Sequence, residues 1–257
     1  MNAAALDLGI LGPAFVAGLL VTSTHVPLGM QVLARGIVFI DLAIAQVAGL
    51  GVIFADSLGL EPQGWGVQAA ALAAAFAGAL LLTWTEQRWP EVQEAIIGTT
   101  FILAASGALL LLAANPHGAE HLKELLVGQI LWVNWSRLLP VALVYAAILA
   151  LWLGMGERLG RGGFYLVFAV AVTISVQLVG LYLVFTTLIV PALATHRLKR
   201  RRLAACYGLG AAGYALGLAA SALFDLPSGA VIVWTLALLG LPVFALSGAR
   251  TGRSALT

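Results

Sequence analysis

Residues Phe39–Val52 read FIDLAIAQVAGLGV: twelve of the fourteen positions are apolar or glycine, and the other two are a carboxylate, Asp41, and an amide, Gln46. The apolar run around them extends over about 37–57, within the roughly 17–25 residues that a helix needs to cross a bilayer. Lipid offers backbone groups no partner, so a segment of this kind is read as a helix. Polar side chains inside it are costly there and need a reason.

The same pattern recurs along the chain. Of 257 residues, 61% are hydrophobic and only 9% charged, with a mean hydropathy of +1.02; soluble domains carry about 25% charged residues. Further windows fall at about 9–31, 65–85, 94–114, 136–154, 163–182, 203–224 and 228–248, with a short one at about 183–195. The segment at about 124–134, ELLVGQILWVN, is too short to span and reads as re-entrant or interfacial. Breaks carry turn chemistry, such as Asp56–Gly64 with Pro62, and Asp225–Gly229. The expectation is an all-α polytopic membrane protein of eight to nine helices, one of them short, forming a single domain over 1–257. One cysteine, Cys206, excludes an intramolecular disulfide and a multi-cysteine zinc site. The first 34 residues hold no Lys or Arg, so the N-terminal run is expected to stay as a helix rather than serve as a cleaved signal.

Charge placement suggests an orientation. With Arg35, Arg88, Arg158, Arg161, the cluster His196–Arg202, Arg250 and Arg253 inside, only Lys123 and Arg137 of the thirteen Lys and Arg residues lie outside. This partition requires the short segment to cross, giving nine passes, N-terminus outside and C-terminus cytoplasmic. The many glycines (29) suit close helix packing in lipid.

Three stretches depart from generic membrane-helix chemistry: Gly29–Val52, His121–Asn134 and Val176–Arg202, the last followed by DLPSGAVIV at Asp225–Val233. In this order they resemble the permease subunits of ABC importers for zinc, manganese and related metals, over about residues 10–248. The family's Arg, Asp-x-x-x-x-His and Gly element is matched by Arg35, Asp41, Gln46 and Gly51, with Gln46 where His is usual. Its Leu-Phe-Gly-x-Ile-Leu element is matched by Leu126–Leu131, its Val-Gly-x-x-Leu-Val run by Val179–Val184, its Pro-Ala-x-x-Ala element by Pro191–Thr195, and its Asp-x-Pro-x-Gly turn by Asp225, Pro227 and Gly229. The connection Gly154–Gly163 is shorter than the family's cytoplasmic coupling segment.

The resemblance implies a type II ABC importer-like permease in the bacterial cytoplasmic (inner) membrane. It implies a homodimer working with a separate ABC ATPase and an extracytoplasmic metal-binding protein, and no nucleic acid. The cargo would be a divalent metal: zinc leads, because imidazole is the best ligand on offer, with manganese or iron as alternatives. The chain has two lysines, neither in a phosphate-cradling Gly-x-x-x-x-Gly-Lys loop, so ATP would be used by the partner, and the permease itself is expected to be no enzyme. Candidate ATPase contacts are Glu157, Arg158, Arg161, Arg197, Lys199 and Arg200; the basic cluster also suits a membrane-surface anchor. A transporter or channel needing no ATPase is the alternative, and the absence of HExxH counts against an intramembrane protease.

Candidate pathway residues are His25, Asp41, Gln46, Gln177, Thr186 and Thr187. Asp41 lies near the cytoplasmic end of its helix, where it can interact with the helix dipole and pair with Arg35, or line the path. Gln46, about 7–8 Å deeper, can bond across helices or offer its carbonyl to an ion. His25 sits beside Pro27, which frees a backbone carbonyl; the imidazole either satisfies freed carbonyls or binds metal. His117 and His121, with Glu120 beside them, form a candidate external metal contact or a solvated loop.

Overall fold

The computed structural model describes residues 7–61, 64–112, 126, 128, 130–155, 160–198 and 200–253. Among them lie nine α-helices: α1 (Leu8–Arg35), α2 (Ile40–Ser57), α3 (Trp65–Arg88), α4 (Gln93–Leu112), α5 (Trp135–Met155), α6 (Gly160–Val179), α7 (Leu181–Ala194), α8 (Arg202–Phe224) and α9 (Ser228–Arg253). Short 3₁₀ turns occupy Pro90–Val92 and Ile130–Trp132. Eight of these helices are long and apolar enough to cross a membrane. The other, α7, has 14 residues, about 21 Å of rise against a hydrocarbon core of about 30 Å.

Two boundaries differ from the sequence expectation. The break before the short helix falls at Gly180, with φ 88° and ψ 159°, a region only glycine adopts without strain. Of the Gly154–Gly163 connection, Gly154 and Met155 belong to α5 and Gly160 to Gly163 to α6.

The chain forms two compact units of interleaved segments. The first comprises Met1–Ala34, Val127–Ala146 and Leu178–Thr257; the second comprises Arg35–Leu126 and Ala147–Gln177. In the first, α1 and α8 run antiparallel: Gly18 lies against the Tyr214 ring, Thr22 against Gly210, and Ser23 against Tyr207. The partner pairs α7–α8, α7–α9 and α8–α9 complete this unit. Gly29 packs directly on the Leu188 carbonyl of α7, and Gly217 on Ile232 of α9. Lipid is as apolar as leucine, so such close approaches, rather than a hydrophobic drive, hold these helices together.

In the second unit, α2 packs on α3 and α4. A Cβ at Gly51 would meet Ala70 and Ala74, and Gly78 faces Val47 and Ile44, an antiparallel α2–α3 seam. α4 runs parallel to α2, with Ile53, Ala108 and Leu112 in one cluster joined by Leu50. Gly36, at φ 71° directly after Arg35, ends α1 in the left-handed conformation typical of helix C-termini.

Candidate functional site

Asp41 lies in the first turn of α2 and is fully buried. Neither carboxylate oxygen meets a side-chain partner among the described residues; the polar groups within its reach are the backbone N–H groups of Asp41 itself and of Leu42. The expected pairing with Arg35 is not formed: the guanidinium lies 4.2 Å from the centroid of the Phe164 ring. That cation–π placement, at the end of α1, draws Arg35 toward the aromatic group Phe164, Tyr165 and Phe168 of α6. Asp41 therefore keeps its place by packing and by the N–H groups of its own helix turn. Gln46, five residues further along α2, is half-buried.

Beside this helix start, two neighbouring residues of α4 tie the second unit together. Gln93 donates through Nε2 to the Leu82 carbonyl of α3 at 2.9 Å. Glu94 accepts from the backbone N–H of Phe39, the residue that precedes α2. Tyr165 of α6 lies within electrostatic reach of Glu86, Gln93 and Arg35. This polar knot is invisible in the sequence, because its members come from four separate elements. The run Trp89-Pro90 marks a turn but does not reveal which helices it joins.

His25 belongs to the first unit and is fully buried in α1. Its Nδ1 lies 3.0 Å from the Val21 carbonyl and 3.1 Å from Thr24 Oγ1, which itself donates to that carbonyl at 3.2 Å. A carbonyl only accepts, so a ring carrying one proton carries it on Nδ1. Nε2 is left as a buried lone pair with no partner among the described residues. The carbonyl freed by Pro27 is that of Ser23, four residues back, and the imidazole does not take it: Tyr207 Oη donates there at 3.0 Å.

Thr187 and Thr186 also lie in the first unit, buried in α7. Thr186 Oγ1 donates to the Tyr182 carbonyl and Thr187 Oγ1 to Leu183, both at 2.7 Å, and Thr187 lies 2.9 Å from Tyr214 Oη. Gln177 is exposed. The candidates thus divide: His25, Thr186 and Thr187 in the first unit, Asp41, Gln46 and Gln177 in the second. Among the described residues no three His, Cys, Asp or Glu converge into a metal cage. His117, His121 and Glu120 lie outside the described residues, as do Glu157, Arg158 and Lys199.

Of the remaining basic candidates, Arg161, Arg197 and Arg200 are exposed. Arg197 lies 5.3 Å from the centroid of Phe244, on which His196 also stacks. The two motifs Leu126–Leu131 and Val179–Val184 meet in the fold: a Cβ at Gly128 (φ 72°) would strike the Val179 carbonyl and the Gly180 nitrogen. The Cys206 thiol is buried 2.9 Å from Thr195 Oγ1.

Many long apolar helices, interhelical glycines and a helix broken at Gly180 describe a multi-pass membrane transport subunit. The chain belongs to the ABC 3 transport family, whose model matches residues 7–160 and 150–247. This bears out the resemblance to permeases of metal-type ABC importers read from the motifs. The chain is 28% identical to the uncharacterized membrane protein slr2045 of Synechocystis sp., over 89% of this chain and 88% of that protein. Its fold matches a chain of PsaBC from Streptococcus pneumoniae, solved in complex with Fab, with a TM-score of 0.76 and 22% identity over 95% of each chain. A second match is to an inward-facing conformation of an ABC transporter assigned to the metal-chelate type. There the TM-score is 0.67 and the identity 18%, over 93% of this chain and 85% of that one.

Proposed function

We propose that this permease imports a divalent metal ion, zinc foremost, by alternating access as a homodimer. A separate ATPase supplies the energy and an extracytoplasmic binding protein delivers the cation. The observation that carries the reading is Asp41, a fully buried carboxylate without a side-chain partner among the described residues, in the helix where the family motif places its acidic residue. A buried charge that meets only backbone N–H groups and no counter-charge is costly, and a passing cation offsets that cost. Gln46 presents an amide carbonyl one and a half turns further along the same helix, and a homodimer presents each donor twice. Carboxylate and amide oxygens alone suit hard cations such as manganese, so the preference for zinc rests on imidazole.

The orientation that goes with this reading places the N-terminus outside and the C-terminus in the cytoplasm of a bacterial inner membrane. Arg161, Arg197 and Arg200, exposed in the structure, then face the side where an ATPase docks, with Glu157, Arg158 and Lys199 beside them in sequence. The short α5–α6 connection supports the alternative of a transporter that works without an ATPase.

Uptake of radioactive zinc into proteoliposomes separates the two. With its cognate ATPase co-reconstituted and the binding protein supplied on the opposite side, the permease should transport zinc only when ATP is supplied on the ATPase side. Accumulation by the permease alone would reject ATP-driven import in favour of the alternative, and ATP-driven uptake of manganese but not zinc would correct the cargo.

A further inference from the structure

We propose that His25 is a transit ligand for the cargo, its Nε2 offering the cation a nitrogen donor in the seam between α1, α7 and α8. This rests on the metal-permease reading. Gly18, Thr22, His25 and Gly29 follow one another at spacings of four, three and four, which places them on one face of α1. Gly18 and Thr22 touch α8 at Tyr214 and Gly210, and Gly29 touches α7 at Leu188. His25 stands between them, on the face turned toward both helices.

The two helices that His25 faces also carry the Thr187–Tyr214 hydroxyl pair, neutral oxygens further along the same seam. The ring is prepared as metal-binding histidines are: the nitrogen that does not bind metal donates to a backbone carbonyl, here Val21, which fixes the ring and directs the other lone pair outward. The structural alternative, a histidine that heals the proline kink, is already filled by Tyr207. Nε2 is buried without a partner among the described residues, and an acceptor left so in the membrane interior is what a cation or its water would occupy. One nitrogen with neutral oxygens binds a borderline cation such as zinc weakly enough to release it, as passage requires.

The test uses the purified full-length permease in which His117, His121 and His196 are replaced by alanine, so that His25 is the only imidazole. Zinc binding, read by competition with a chromophoric chelator, should weaken at least tenfold in His25→Gln, and the zinc X-ray absorption spectrum of the parent should show imidazole scattering. Equal zinc affinity in parent and His25→Gln overturns the assignment. If His25→Gln does not fold, the parent's spectrum decides, a first shell without imidazole being the overturning result. Zinc uptake by the wild-type transporter separates the two levels: uptake with an imidazole-free parent spectrum rejects His25 alone, whereas no metal uptake at all rejects the permease reading beneath it.

Discussion

Pro27 leaves the Ser23 carbonyl without its helical partner, and one hydroxyl from a helix 184 residues away supplies the replacement. Tyr207→Phe removes only that oxygen. Hydrogen bonds between membrane helices contribute on average about 0.6 kcal/mol and at most about 1.7 kcal/mol, so the variant should unfold at a slightly lower temperature in detergent; an unchanged midpoint would mean that water serves the carbonyl equally well. Asp41 invites a sharper comparison. Asp41→Asn keeps the shape and removes the charge: if the carboxylate meets the cation, uptake should fall about tenfold or more, with thermal stability kept or improved, because the unpartnered charge is gone. Loss of stability with uptake per folded molecule unchanged would return Asp41 to a helix-anchoring role. The sequence pointed to Pro27 and Asp41 as exceptional, a proline and a carboxylate each standing out in an apolar run, but not to Tyr207. It did not show their partners: Arg35 has an aromatic ring available as well as a carboxylate, and which it meets depends on where α6 lies.

Helices were legible to within a few residues because length and apolarity decide them, whereas their seams were not. Glycine abundance says that helices approach closely somewhere; only the fold shows that Gly29 meets a carbonyl of α7 and that Gly128 seats on the break at Gly180. Both contacts are with backbone, which cannot rotate aside. Gly128→Ala adds strain at a positive φ to the overlap, and should lower the yield of monodisperse protein on size exclusion. Gly29→Val should do the same, at a cost of about 1–3 kcal/mol or more, the usual range for an overpacked core. Gly154→Ala, where a Cβ would meet nothing, is the matching control and should leave the yield unchanged. The meeting of the motifs at Gly128 and Val179 also explains their joint presence: each supplies one surface of a single backbone contact.

At the scale of the whole molecule, four of the seven tryptophans mark where helices begin or end. Trp65 opens α3 and Trp89 follows it, Trp132 and Trp135 precede and open α5, and all four are exposed, as befits rings that sit at membrane–water interfaces. Single cysteines placed at the two termini should react differently with a membrane-impermeant maleimide in intact cells: labelling at Ala3 and none at Ser254 is the expected outcome, and the reverse would invert the topology. The native thiol, buried in α8, should contribute little background. The interleaving of the two units has a temporal consequence. The second draws mainly on an early continuous stretch, Arg35–Leu126, but the first joins the earliest helix to the latest ones. At about 5–20 residues per second, the ribosome needs roughly 10–40 s to pass from Ser23 to Tyr207. For that interval α1 sits in the membrane with its glycine-lined face and unanswered carbonyl turned to lipid. The newborn chain is therefore most vulnerable to misassembly before its C-terminal third emerges, and chains truncated before Leu178 should be the ones that cells degrade fastest.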